Sequence, residues 1–213
     1  MAMDKKDGQS LLGPYESQLK NFLVPFVPKT VETYHLTLTT LLWSGLIILF
    51  GYLATINIHW LWGASVAIIF QYITDLLDGE IGRQRNTGLV RWGFYMDHFL
   101  DYIFLCAIII GYALLLPATY YLELLFILSL VTAFMVNSFL RYGATSTFKI
   151  QYLGIGPTEM RLLFIFINTM IIIFGRTYMA FALPYVLVLT TIGLVVVVYR
   201  TQKSIWAMDM KKK

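Results

Sequence analysis

Hydrophobic positions along this chain fall into six long runs, at roughly 36–56, 59–79, 94–116, 119–140, 159–175 and 178–199. Each is long enough to cross a hydrocarbon layer as a helix rising about 1.5 Å per residue. Ahead of the first run, Tyr15, Leu19, Phe22, Leu23 and Phe26 recur at helical spacing, with Glu16 and Lys20 on another face and spaced for a pair. That pattern predicts a short amphipathic helix lying in the membrane interface, ending before Pro25. The fold class expected is therefore an all-α membrane protein: six transmembrane helices with an N-terminal interfacial amphipathic helix. Three parts follow: 1–35 as N-terminus and juxtamembrane helix, 36–200 as the six-helix unit, and 201–213 as a basic tail.

Composition agrees with the pattern. Hydrophobic residues make up 58% of the 213 and charged residues only 13%, about half the charge of a soluble domain. Cys106 is the one cysteine, so no disulfide forms within the chain. The first ten residues are polar and lack a secretory signal pattern, so the first run is expected to serve as the insertion signal.

Charge sets an orientation. Fifteen of the 16 Lys and Arg residues flank the runs on one side, and the opposite connections carry only Arg176. The positive-inside rule then puts both termini in the cytosol. It also explains the net charge of +4 without a nucleic-acid partner.

The acidic residues change the picture most. Four of the 12 fall between 75 and 101. Asp75 and Asp78 are three apart at the end of the second run; Asp97 and Asp101 are four apart at the start of the third. Each pair shares a helix face, and two helices joined by a short connection can pack antiparallel and bring all four together. Carboxylates at that depth need partners. An all-oxygen, highly negative set suits hard cations, Mg²⁺ or Mn²⁺, and two facing pairs suit two ions. Gly79, Gly82 and Gly93 allow a ligand to approach the backbone, and Arg83 can pair with a phosphate. Together these features describe a site for a metal-bound diphosphate.

The strings D-L-L-D-G-E-I-G-R and G-F-Y-M-D-H-F-L-D resemble the signature of the CDP-alcohol phosphotransferases, matching at Asp75, Asp78, Gly79, Arg83, Gly93, Asp97 and Asp101. Gly82 stands where the family has alanine, and the gap from Arg83 to Gly93 is one residue longer than the family's. The resemblance implies an enzyme of phospholipid biosynthesis. It would transfer a phosphate-linked alcohol from a CDP-alcohol donor to a lipid or small polar alcohol acceptor, release CMP, and form a homodimer through its spans. It further implies Asp75, Asp78 and Asp97 as metal ligands, Asp101 as general base with a share in the metal, and Gly79, Gly82 and Arg83 lining the cytidine diphosphate site.

His98, next to Asp97, is the rival for the base, against a structural role. Arg141 and Arg161, with Lys149, are candidates for a phosphorylated acceptor; ordinary cytosolic anchoring explains them as well. Glu159 either meets a cationic head group or favours a helix N-terminus. Glu123, Asn137 and Asn168 serve as helix–helix contacts or substrate contacts. The competing function is a cation- or proton-coupled transporter, since intramembrane carboxylates also mark ion paths. Against it, the four aspartates crowd at one membrane face.

Overall fold

A computed structural model of the chain describes residues 13–149, 151–152 and 154–210. It contains α1 (Gly13–Leu23), α2 (Thr33–Leu53), α3 (Leu61–Gln84), α4 (Val90–Leu115), α5 (Tyr121–Thr145), α6 (Pro157–Phe174) and α7 (Arg176–Met210). Among the described residues there is no strand. Six of the helices, α2 to α7 with the short turns that lead into α3 and α5, are long and apolar enough to cross a membrane. The protein is thus an all-α, multi-pass integral membrane protein. The helix preceding them, α1, leaves Tyr15 and Phe22 exposed, and Phe26 in the turn that follows is exposed too, as in a helix resting on a lipid surface.

Helix ends follow local chemistry. Glu32 caps α2, its N–H donating to His35 Nδ1 at 3.0 Å. The α3–α4 connection turns through Asn86 and Gly88, both at positive φ. Gly175, at φ 83°, ends α6. Arg176 donates to the carbonyls of Ala54 and Thr55 at 2.8 and 2.7 Å. The lone cation on that side therefore satisfies the orphan end of α2.

Several boundaries differ from expectation. The third helix runs on to Gln84, so Gly79, Gly82 and Arg83 lie on α3 and not in a connection. Gly93 likewise lies inside α4. The last helix continues to Met210, so the described part of the basic tail is helical. α6 begins at Pro157, with Gly156 as its N-cap. Glu16 and Lys20, spaced for a pair with each other, reach two other helices instead: Thr158 donates to Glu16 at 2.5 Å, and Lys20 lies 3.2 Å from Glu80.

The largest correction concerns packing. α3 and α4 touch each other little; α2 packs extensively on both. Its buried positions Thr33, Thr37, Thr40, Ser44, Ile47 and Gly51 form one stripe dominated by small residues, which lets the helix sit deep between its neighbours. At Gly51 a Cβ would stand 2.8 Å from Gly111 Cα of α4, so only glycine permits this crossing. The core around it includes Ile47, Ile68, Phe104, Ile108, Phe164 and Ile171.

Candidate active site

Two helices supply the acidic residues and two others bring them together. Thr37 of α2 donates to Asp78 Oδ2 at 2.8 Å, and Thr33 donates to the Asp78 backbone carbonyl at 2.7 Å. These bonds hold the C-terminal third of α3 against α2, with the Asp78 side chain buried. Arg161 of α6 enters from the opposite side. Its Nη2 donates to Asp75 Oδ2 at 2.9 Å and to Asp101 Oδ1 at 3.2 Å. Asp97 lies within side-chain hydrogen-bond reach of Asp75 and within electrostatic reach of Asp78 and Asp101. Asp75 and Asp101 are therefore bridged by one guanidinium, with Asp97 beside Asp75 and Asp78 held next to them by α2. Asp97 is 35% exposed against 21% for Asp75 and 18% for Asp101, so the cluster opens on the Asp97 side.

Arg161 is 4% exposed. Its Nε donates to Gln71 Oε1 at 2.7 Å. Its guanidinium carbon lies 5.9 Å from the Tyr72 ring centre and 5.7 Å from that of Phe104. A charge so deep is tolerable only when paired and hydrogen-bonded, and here two carboxylates and an amide do both. Arg161 is thus a component of the acidic cluster, beyond an anchor at a membrane edge. Arg141, the other candidate cation, is buried one turn from the end of α5.

His98 turns elsewhere. Its Nδ1 lies 2.7 Å from the carbonyl of Phe94, which can only accept, so Nδ1 carries the proton. The ring sits among Phe94, Phe148 and Phe139, with centroids 4.5, 4.8 and 5.6 Å away. Asp97 Oδ2 is 3.5 Å from Nδ1. This surrounding favours the structural role for His98, with the ring steadying α4 against α5 and the loop beyond it.

The glycines divide. A Cβ on Gly82 would come within 3.3 Å of Thr33 Oγ1, so this position admits the close approach of α2. Gly79 and Gly93 have room around them: a Cβ would meet only Arg83 Nη1 at 3.7 Å at Gly79 and nothing at Gly93. Arg83 is exposed and bonds Glu80 at 2.8 Å. Glu80 also holds Lys20, so α1 is tied to the end of α3 at one place and to the start of α6 at another. Glu159 accepts the Gly156 N–H at 2.9 Å, the helix N-terminus reading of this residue.

The carboxylate set contains only oxygen donors, the chemistry of Mg²⁺ or Mn²⁺. One arginine offsets one of the four negative charges, and the remainder favours cations. Among the described residues, no three His, Cys, Asp or Glu side chains stand close enough to hold an ion as they are. Arg161 engages one oxygen each of Asp75 and Asp101. The donor set suits a divalent cation in kind, while in this arrangement Asp75 and Asp101 are paired with Arg161.

Sequence reasoning passed over Gln71, Thr33, Thr37 and Glu80. Gln71 carried a usable signal: it is a polar residue inside an apolar run, one helical turn from Asp75.

No curated protein and no solved structure matches the chain. A family model does, over residues 34–206, which takes in α2 to α6 and most of α7, with every residue of the acidic cluster. On that match the chain belongs to the CDP-alcohol phosphatidyltransferase family, whose members transfer a phosphatidyl group from a CDP-alcohol to an alcohol acceptor at a membrane.

Proposed function

We propose that the protein is a metal-assisted CDP-alcohol phosphotransferase of phospholipid biosynthesis whose reaction centre is the acidic cluster at the α3–α4–α6 junction. The observation that carries this reading is the bridging of Asp75 of α3 and Asp101 of α4 by Arg161, with Asp97 beside Asp75, although the two helices barely touch. In this reading Asp75, Asp78 and Asp97 would hold Mg²⁺ or Mn²⁺, with Asp101 sharing in it. A bound ion would neutralise the donor diphosphate and the charge growing on departing CMP. Asp101 takes the proton of the acceptor hydroxyl. The acceptor oxygen then bonds to the phosphorus that bears the donor alcohol, and the bond from that phosphorus to the CMP oxygen breaks. Gly79 and Gly93, with open space around them, give the nucleotide access to the helix backbones, and Arg83 lies within the same turn.

The basic flanks support a cytosolic position for this face and both termini, the side on which the nucleotide is found. The long outward face of α7 and the family's habit suggest a homodimer. Arg161 is committed to the aspartates, so an anionic acceptor would fall to Arg141 and Lys149; a neutral one such as diacylglycerol would need neither.

The test is CMP release by purified protein with Mg²⁺ or Mn²⁺, over a panel of CDP-alcohols crossed with glycerol phosphate, inositol phosphate and diacylglycerol acceptors. Asp101→Asn is expected to bind donor but lose about 10²- to 10⁴-fold in turnover, the range for a removed general base. His98→Ala is expected to lose far less. The opposite ranking would move the base to His98, and no CMP from any pair would sink the transferase reading.

A further inference from the structure

Gln71 is fully buried on α3, one turn before Asp75, in a segment otherwise apolar. Its carbonyl oxygen accepts the Nε–H of Arg161 at 2.7 Å. Arginine only donates, so the amide cannot be turned the other way round. That leaves Gln71 Nε2 buried with no hydrogen-bond partner. A buried amide with unused donors is a cost to folding. An apolar residue of the same length would avoid that cost but leave the buried Arg161 Nε–H without its acceptor, so the glutamine is explained by what it does for Arg161.

The geometry beyond Arg161 supplies a reason. A guanidinium is planar and rigid. Holding it at Nε, with Tyr72 and Phe104 rings beside it, fixes where its Nη atoms point. Nη2 is the atom that bridges Asp75 of α3 and Asp101 of α4. Without the bond at Nε, the long side chain can rotate and pair with either carboxylate alone. The gap between Asp75 and the candidate base Asp101 would then be set only indirectly, through the packing of α3 and α4 on α2.

We propose that Gln71 is a positioning residue: it orients Arg161 so that this arginine holds Asp75 and Asp101 in fixed relation for the transfer step. The proposal rests on the transferase reading above. It assigns the carbonyl of Gln71, and not its amide donors, as the working half.

Two variants separate the halves. Gln71→Met keeps length and volume and removes the acceptor. Gln71→Glu keeps an acceptor oxygen and removes the donors. In the full-length protein in lipid nanodiscs, Gln71→Met is expected to lower kcat about tenfold or more while the KM for the CDP-alcohol stays within about twofold; misplacement of reacting groups is felt in kcat. Gln71→Glu is expected to stay within about threefold of the parent kcat. An independent readout is the ¹⁵N spectrum of arginine-labelled protein, where the Arg161 Nε–H is assigned by its loss in Arg161→Met. That signal should exchange slowly in the parent and in Gln71→Glu, and be lost to solvent exchange in Gln71→Met. A signal unchanged in Gln71→Met, or a Gln71→Glu enzyme as slow as Gln71→Met, overturns the proposal. Should Gln71→Met fail to insert, Gln71→Glu decides alone: loss of either its turnover or its Nε–H signal overturns the proposal. Absence of CMP release from the parent would sink the transferase reading by itself, and the spectrum would still report whether Gln71 holds Arg161.

Discussion

The helices that carry the acidic cluster and the pair α5–α7 solve the same problem in different ways. Along the α3–α6 seam, polar side chains come in two tiers. At one level Gln71, Asp75 and Asp101 all accept from Arg161. About two turns deeper, Asn168 donates to Ser65 at 3.0 Å and accepts from Tyr112 at 3.1 Å, joining α3, α4 and α6. α7 is built otherwise. It buries only Met179, Leu183, Val197 and Thr201 of its 35 residues, and Leu189, Ile192 and Val195 face outward. The polar contacts of that pair gather in one knot, where Asn137 and Ser138 bond the Tyr152 hydroxyl and Asn137 also reaches Thr201. In a bilayer, apolar surface gains nothing by leaving lipid for another helix. Interlocking small and polar groups are therefore what specify a contact, and they concentrate where geometry must be exact for chemistry.

Removing the centre of the upper tier should have the largest effect. Arg161→Met leaves Asp75 and Asp101 facing each other without their shared cation. Breaking a buried ion pair from one side costs about 3–5 kcal/mol. The expected result is a large drop in the apparent Tm of metal-free protein, measured in EDTA, with much of it restored by millimolar Mg²⁺ acting as a substitute cation. A variant as stable as the parent in EDTA would show that the cluster is not held by this arginine.

The lower tier should matter less. Tyr112→Phe deletes the bond to Asn168 Oδ1 and the longer one to the Phe164 carbonyl at 3.3 Å, while the ring stays packed. Interhelical hydrogen bonds of this kind are worth about 0.6–2 kcal/mol. A small fall in apparent Tm is expected, with turnover nearly unchanged, because the tier lies below the reacting groups. A loss of turnover comparable to that of Arg161→Met would show the tiers to be one unit, and the comparison of levels would fail.

How much of this could be read beforehand depended on the range of the interaction. Apolar runs announced the spans because lipid acts on each helix separately. The spacing of Asp75, Asp78, Asp97 and Asp101 announced the cluster because it lies on two neighbouring helices. Three features depended on partners distant in sequence and stayed hidden. Thr33 and Thr37 look like any hydroxyls near a helix start until α2 is found between α3 and α4. Arg161 sits where positive-inside anchors sit, and its burial depends on Gln71, ninety residues away. Gly79 and Gly82 suggested a loop, yet α3 continues through both because α2 packs against Gly82 and Glu80 ties the turn to Lys20 and Arg83.

The smallest effect belongs to the outward face of α7, and it is the sharpest check on the contrast. Leu189 is 69% exposed, beyond Pro184 in the helix interior. If lipid covers it, Leu189→Ala exchanges one lipid-facing apolar side chain for a smaller one and loses no helix contact. Surface changes of this sort shift stability by about 0.5 kcal/mol or less, so apparent Tm and CMP release in nanodiscs should match the parent. If a second copy of the chain covers this face instead, the same change opens a void in an interface. Tm would then fall, and the oligomer would dissociate at lower detergent dilution. The face of α7 would then have to be counted among the specified contacts, together with the site helices.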